Sequence, residues 1–396
     1  MFEKYLTSGM TGCLGAWDTF EARVTARADE GVVMAYRGDC DGLVAAAFLL
    51  HTLHGHGVEV PRSRLLWVST DDHDYVGLRS FLREQRPAFL ITLGLPLENA
   101  PTALADLVDN VTQGLFCFDH HFAAEIPTVE RLVVVNPSPT VELARTKPMP
   151  ASLFGYLCAE RAGREAAPWL VGVALLAEGI EEQVPFFYEE LSRLHDLPSP
   201  GMVGGPAGLR QTVYGRIGRL LAANFAAREP DHFALDLALG VIRGDLPGPD
   251  ELLDAAGDRL ARLSNTVTTE VRRHIDTWRQ RIAAYLASEP LVKLEVPSDY
   301  AVTAPVASIL LSHFPDKTFA TYSIRGGSAQ VEVRGPETGP NVLDAMADVA
   351  TRVPLQCWSG QATSASATLA REHVSSLLEA LSAKLDPNWS GDDEDD

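Results

Sequence analysis

Short apolar runs separated by polar turns set the rhythm of the first third of the chain. Residues 32–36 (Val-Val-Met-Ala-Tyr), 65–69, 88–93, 114–118 and 132–135 each have the length and near-continuous hydrophobicity of a strand buried on both faces. Helix-length segments lie between them. One is an apolar stretch over 43–53. A lead-in helix over 14–30 places Leu14, Trp17, Phe20 and Val24 on one stripe. Strands alternating with helices predict an α/β, doubly wound and mainly parallel sheet.

Beyond residue 150 the period becomes helical. Residues 152–161 and 169–182 are strongly apolar, and the second is interrupted by Glu178. Helical patterning continues over 189–289, broken by Gly/Pro patches at 198–208 and 245–250. Residues 260–286 read as one long solvent-facing helix or connector with Arg272, Arg273, His274 and Arg279 on its wet face. The pattern then shifts again. Alternating strands at 291–296, 318–322 and 329–334, with helices at 302–313 and 342–349, predict a smaller α+β domain. A last helix with Val374, Leu377, Leu378 and Leu381 at core spacing closes it. The expected organisation is an α/β domain over 1–188, a helical insertion or connector over 189–289, the α+β domain over 290–385 and a disordered acidic tail over 386–396.

Charge narrows the possible partners. The formal net charge is −20, and the run Asp392-Asp393-Glu394-Asp395-Asp396 carries five of those charges. A protein that grips long nucleic acid without sequence preference needs a basic footprint, which this chain lacks overall. A local cation can still serve a small phosphorylated ligand. The five cysteines are scattered and form no C-x-x-C pair, which fits a reducing cytoplasm. No apolar run reaches the ~20 residues of a membrane span and no signal-peptide pattern is present, so a cytoplasmic protein is expected.

Candidate chemistry gathers at strand ends. The fourth strand runs directly into Asp119-His120-His121, and the first into Arg37-Gly38-Asp39-Cys40-Asp41-Gly42. Ligands of open α/β sheets bind beyond the carboxyl ends of strands, and an imidazole–carboxylate set suits Mn, Fe or Zn better than Ca. Plainer readings stand beside this one. Asp39 and Asp41 could cap the following helix, Asp119-His120-His121 could be a polar turn, and Glu178 could be an exposed helix end. The group Asp71, Asp72, His73 and Asp74 follows another strand and reads as a solvated turn.

Taken in order, Asp39-Cys40-Asp41-Gly42, Phe118-Asp119-His120-His121, Asn136-Pro137 and Glu178, followed by a connector and an α+β domain, resemble the DHH phosphoesterase superfamily in its RecJ-like branch. The C-terminal part resembles the DHHA1 substrate-binding domain. The resemblance implies a site for Mn²⁺, or Mg²⁺, held by Asp39, Asp41, Asp119, His120 and Glu178. It implies chemistry carried by Asp41, His120 and His121, and substrate contacts from Arg334, Gly335 and Gly360. Such ions lower the pKa of a bridging water and screen a phosphoester. On this footing Asp41→Ala and His120→Ala should abolish activity with little change in melting temperature.

The chain also departs from the family pattern. Tyr36 stands where relatives carry His or Asp, Gly94 where a bridging aspartate is usual, and Ser359-Gly360-Gln361-Ala362 where a Gly-Gly-His-Pro loop is usual. Two readings follow. One is a metal-dependent phosphoesterase acting on or binding nucleotides, short oligonucleotides or single-stranded nucleic acid. The other is a catalytically degenerate DHH-fold protein serving as a binding or assembly subunit. The expected partners are a nucleotide or short single-stranded nucleic acid, and beyond these a protein partner or a homodimer. A dinucleotide-dependent enzyme is disfavoured, because no G-x-G-x-x-G follows the first strand.

Overall fold

The computed structural model describes residues 7–385 apart from 70–74, 122–128, 138–148, 165–166, 180–183, 196, 199–202, 204–205, 229–231, 286–288 and 290. The Asp71–Asp74 group and the acidic tail therefore lie outside the described residues. Two compact units are present, Met1–Ser264 and Asn265–Asp396.

The first unit opens with α1 (Ser8–Thr25), which starts earlier than its apolar stripe suggests because the Thr7 side chain accepts from the Met10 N–H. Then follow β1 (Val32–Arg37), α2 (Cys40–Gly55), β2 (Leu65–Val68), α3 (Val76–Gln85), β3 (Phe89–Leu93), α4 (Pro101–Asp109), β4 (Gly114–Phe118) and β5 (Leu132–Val135). The strands form one sheet in the order β2-β1-β3-β4-β5, every neighbouring pair parallel. The pleat sorts the strand residues by face. Val32, Met34 and Tyr36 join the core under α1 and α2, whereas Val33 and Ala35 join the core under α3 and α4. Both faces are covered, which explains why the strands read as continuous apolar runs.

Helix α2 is the spine of this unit. Every residue from Cys40 to Leu50 is buried. It packs against α5 (Ala151–Arg161) and α6 (Trp169–Glu178). Gly155 makes the α2–α5 approach this close: a Cβ there would lie 2.8 Å from the Ala45 carbonyl oxygen. Below α5, Phe154 stacks on Phe118 at 4.1 Å between ring centroids. Helix α6, expected to continue to 182, ends at Glu178 because Gly179 turns left-handed at φ +70°. Helices α7 (Pro185–His195), α8 (Val213–Ala226) and α9 (Phe233–Arg243) follow.

Helix α10 (Pro249–Tyr285) kinks at Gly257, where φ is +52°. Most of its described residues beyond 260 face solvent, as expected, but one stripe is buried. Leu252, Ala256 and Leu260 belong to the core of the first unit, and Val271, Ile275 and Ile282 to a core of the second. His274 is a correction. It is only 3% exposed, because it lies on the stripe that also carries Val271 and Ile275. Arg272, Arg273 and Arg279 are exposed as expected.

The second unit continues with β6 (Leu291–Glu295), α11 (Thr303–His313), β7 (Thr318–Arg325), β8 (Ser328–Arg334), α12 (Val342–Ala350), β9 (Leu355–Gln361), β10 (Ser364–Ala370) and α13 (Val374–Lys384). Its sheet has the order β6-β7-β8-β10-β9, with only β6 and β7 parallel. The β9–β10 hairpin was not expected, and the segment around Ser359 and Gly360 is strand rather than loop. Ala365, Ala367 and Leu369 join the core while Ser364, Ser366 and Thr368 alternate with them. Small residues give that alternation little hydrophobic contrast.

Among the described residues no helix is long and apolar enough to cross a membrane. All five cysteines are buried and none is in a disulfide. One carboxyl on α1 gives the unit a pH response. Burial, reinforced by Asp18, raises the Glu21 pKa from 4.5 to about 7, and the Trp17 indole offsets only part of this. Between those values the folded chain holds a proton that the unfolded chain has released. The stabilising effect is therefore full at acid pH and lost as the pH rises through 7. Glu21→Gln is expected to leave the melting temperature unchanged below pH 4.5 and to raise it by on the order of 2 °C at pH 8, read from melting curves on both sides of the window.

Candidate functional site

Strand order reverses between β1 and β3, the point beyond whose carboxyl ends open α/β sheets place their ligand crevice. Backbone bonds continue the ladder past the strands and fix the loops that line it. The Gly38 N–H donates to the Val68 carbonyl at 2.8 Å, the Gly94 N–H to Phe118 at 2.8 Å and the Asp119 N–H to Val135 at 3.2 Å. Gly42 is required by the close turn into α2, since a Cβ there would lie 2.5 Å from the Arg37 carbonyl oxygen.

Asp39 is the N-cap of α2 and accepts from the Gly42 N–H at 2.8 Å. Its other oxygen receives the Arg37 Nε at 2.8 Å. Burial raises its pKa, Arg37 pulls it down, and Asp41 adds to the rise. Asp41, only 4% exposed, accepts three hydrogen bonds at the start of α5. They come from the Ala151 N–H at 2.8 Å, the Ser152 N–H at 2.9 Å and the Ser152 hydroxyl at 2.5 Å. Both aspartates therefore have scaffold duties: Asp39 caps the following helix, the alternative left open by the sequence, whereas Asp41 holds the start of α5 instead.

Asp119, His120 and His121 form the group among the described residues whose donor atoms converge as a metal ligand set would, all within 4.8 Å of one another. The His121 Nδ1–H donates to Asp119 Oδ1 at 2.8 Å, and the Asn136 amide donates to the His121 carbonyl at 2.8 Å. Burial alone would raise Asp119, but His121, His120 and Arg37 outweigh it and hold the carboxyl at about 2. His120 stacks on His121 with 4.5 Å between ring centroids. Burial lowers its pKa to about 3, so the ring is neutral near pH 7. Its Nδ1 is buried without a hydrogen-bond partner and lies 4.0 Å from Asp41 Oδ2. An orphaned imidazole nitrogen facing a carboxylate is a donor set that a cation would satisfy.

Two residues here escaped the sequence reading. Arg37 donates through Nη1 to His121 Nε2 at 2.9 Å while holding Asp39, which places a guanidinium inside the acidic cluster. Glu98 is 7% exposed, and neither of its carboxyl oxygens has a hydrogen-bond partner at normal geometry. Burial and the charge of Asp119 push its pKa well up, against a smaller pull from Asn136. The available signals were a cation two residues before an acidic pair, and a lone acid in the apolar turn after β3.

The remaining expected residues are placed differently. Glu178 is exposed on the last turn of α6 and lies outside the Asp119–His120–His121 group, although its charge reaches the Cys40 thiol. Tyr36 is a core residue whose hydroxyl meets His232 Nδ1 at 3.4 Å. In the second unit Arg334 ends β8, and its Nε is buried without a partner. The Gly335 N–H donates to the Thr363 carbonyl at 2.9 Å. Gly360 permits close strand packing, since a Cβ would lie 2.6 Å from the Ser364 oxygen.

No family model matches the sequence, and no curated protein matches it. Solved structures do match. RecJ from Thermus thermophilus in complex with Mn²⁺ superposes with a TM-score of 0.61 at 16% identity, over 95% of this chain and 54% of that one. An exonuclease RecJ bound to manganese gives 0.55 at 17% identity, over 92% and 93%. The DHH domain of a protein assigned to a ribosomal-protein family gives 0.59 at 11% identity, over 95% and 91%. This chain thus spans about half the length of the Thermus RecJ, which is also known in complex with Mg²⁺. The likeness establishes the fold: an α/β unit and a smaller α+β unit of the RecJ-like DHH/DHHA1 type.

Proposed function

We propose that this DHH-fold protein takes the phosphate of a nucleotide or a short single-stranded nucleic acid in the β1–β3–β4 crevice. A divalent ion, Mn²⁺ or Mg²⁺, would be held there by His120, Asp119 and Asp41. The observation that carries the proposal is the buried, partnerless His120 Nδ1 facing Asp41 Oδ2. The manganese-bound exonuclease RecJ of the same fold supports it. When bound, such an ion supplies Lewis acidity at a phosphoryl oxygen and a water of lowered pKa. The chain's own residues orient and screen. Arg37 supplies fixed positive charge for a phosphate. His121, engaged at both ring nitrogens, fixes Arg37 against Asp119 and acts as a positioning residue. Neutral His120 offers its lone pair.

The test is a Mn²⁺-supplemented assay of the full chain on short oligonucleotides, cyclic dinucleotides and single-stranded DNA, with Asp39→Ala as a further control against contaminating nucleases. Metal-dependent hydrolysis that falls by about 100-fold in His120→Ala is the expected result. No turnover on any substrate, together with a flat Mn²⁺ titration, would overturn it. That outcome favours the second reading, a binding or assembly subunit. The scaffold roles of Asp39 and Asp41 at the starts of α2 and α5 are the observations on its side.

A further inference from the structure

We infer that the Arg37 guanidinium is a built-in cation: it occupies the place between Asp39 and His121 where a divalent ion would otherwise bind, and removing it opens a metal site there. This deepens the reading above and rests on it only for the ion at His120.

Three observations on separate elements agree. On the β1 side, Arg37 Nε lies 2.8 Å from Asp39 Oδ2 and Nη1 lies 2.9 Å from His121 Nε2, so one planar fork bridges a carboxylate and an imidazole. On the β4 side, His121 Nδ1 carries the hydrogen that Asp119 accepts, so Nε2 holds the lone pair that receives the guanidinium N–H. A metal ion would need that same lone pair, and His121 cannot serve both at once. On the β3 side, Gly94 lies beside the arginine stem and has no side chain to compete with it. A Cβ at position 94 would lie 3.5 Å from Arg37 Cβ and 3.9 Å from Cδ, and the φ of +66° disfavours any side chain there. Position 94 itself therefore offers no carboxylate to the Asp39–His121 gap.

Charge balance points the same way. Asp39 and Asp119 both feel the positive charge of Arg37, which pulls each carboxyl down against its burial. Asp41 and Glu98 add further carboxyls to the same buried region. A second positive ion between Asp39 and His121 would meet the guanidinium head-on. On the His120 side Nδ1 is unengaged, so the cluster is divided into a guanidinium half and a metal-competent half.

The experiment counts bound Mn²⁺ on the full chain, by calorimetric titration and by the electron-spin signal of free Mn²⁺. Wild type, Arg37→Ala and Arg37→Lys are compared after EDTA treatment and dialysis. Arg37→Ala is expected to bind one more ion than wild type, and its melting temperature should rise further on Mn²⁺ addition. Arg37→Lys keeps a cation and is expected to match the wild-type count. If Arg37→Ala melts too early to titrate, Arg37→Gln, which keeps the stem over Gly94, is counted in its place. Equal counts in wild type and the neutral variant overturn the inference. A wild-type count of one with two in the variant supports both this inference and the proposed function. Zero with one sinks the ion at His120 and leaves the role of Arg37 standing.

Discussion

Asp41→Ala is expected to destabilise the first unit by about 3 kcal/mol, a drop of roughly 10 °C in melting temperature measured in EDTA. This reverses the expectation that the residue could be removed with little effect on stability. Its carboxylate satisfies three donors at the start of α5, all buried, and alanine leaves each without a partner. Part of the loss is offset, because burial holds the Asp41 pKa above its usual value and the desolvated charge disappears with the side chain. Asp41→Asn retains an acceptor oxygen and should recover about half of the loss. Melting at the wild-type temperature would show that the cap does not hold α5.

The second large effect is expected at the neighbouring helix crossing. Gly155→Val should cost about 2 kcal/mol or more and displace α5 from α2. Exchanging a helical glycine normally returns up to about 1 kcal/mol of helix propensity. Here the new Cβ would stand 2.8 Å from a backbone oxygen and 3.0 Å from the Ala45 Cα, neither of which can rotate away, so the clash wins. The start of α5 carries the N–H groups that Asp41 caps. The two substitutions should therefore be non-additive, the double variant losing less than the sum of the singles in denaturant titration. Full additivity would show that helix approach and cap are independent.

How much of this was legible follows from what each feature depends on. The strands of the first sheet were readable because both faces are covered and each run is continuously apolar. Asp119, His120 and His121 were found because a buried strand ends at them. Arg37 was missed by one place. Tyr36 drew attention as the departure from the family pattern, yet the pleat sends Tyr36 into the core under α2 and leaves the next residue at the crevice. The bond between Asp41 and α5 joins residues 110 positions apart, and no local pattern encodes such a contact. Glu98 looked like any turn acid, because its burial is a property of the β3–β4 loops and not of its neighbours in sequence. The β9–β10 hairpin escaped because alternating alanine and serine carry too little contrast for a period of two to stand out.

A cation tethered covalently to the backbone has no dissociation constant. Chelators cannot strip the Arg37 head group from Asp39, and scarcity of transition metals cannot dilute it away. The orientation of that carboxylate and of the His121 ring is accordingly inherited with the polypeptide, the same in a metal-starved cell as in a replete one.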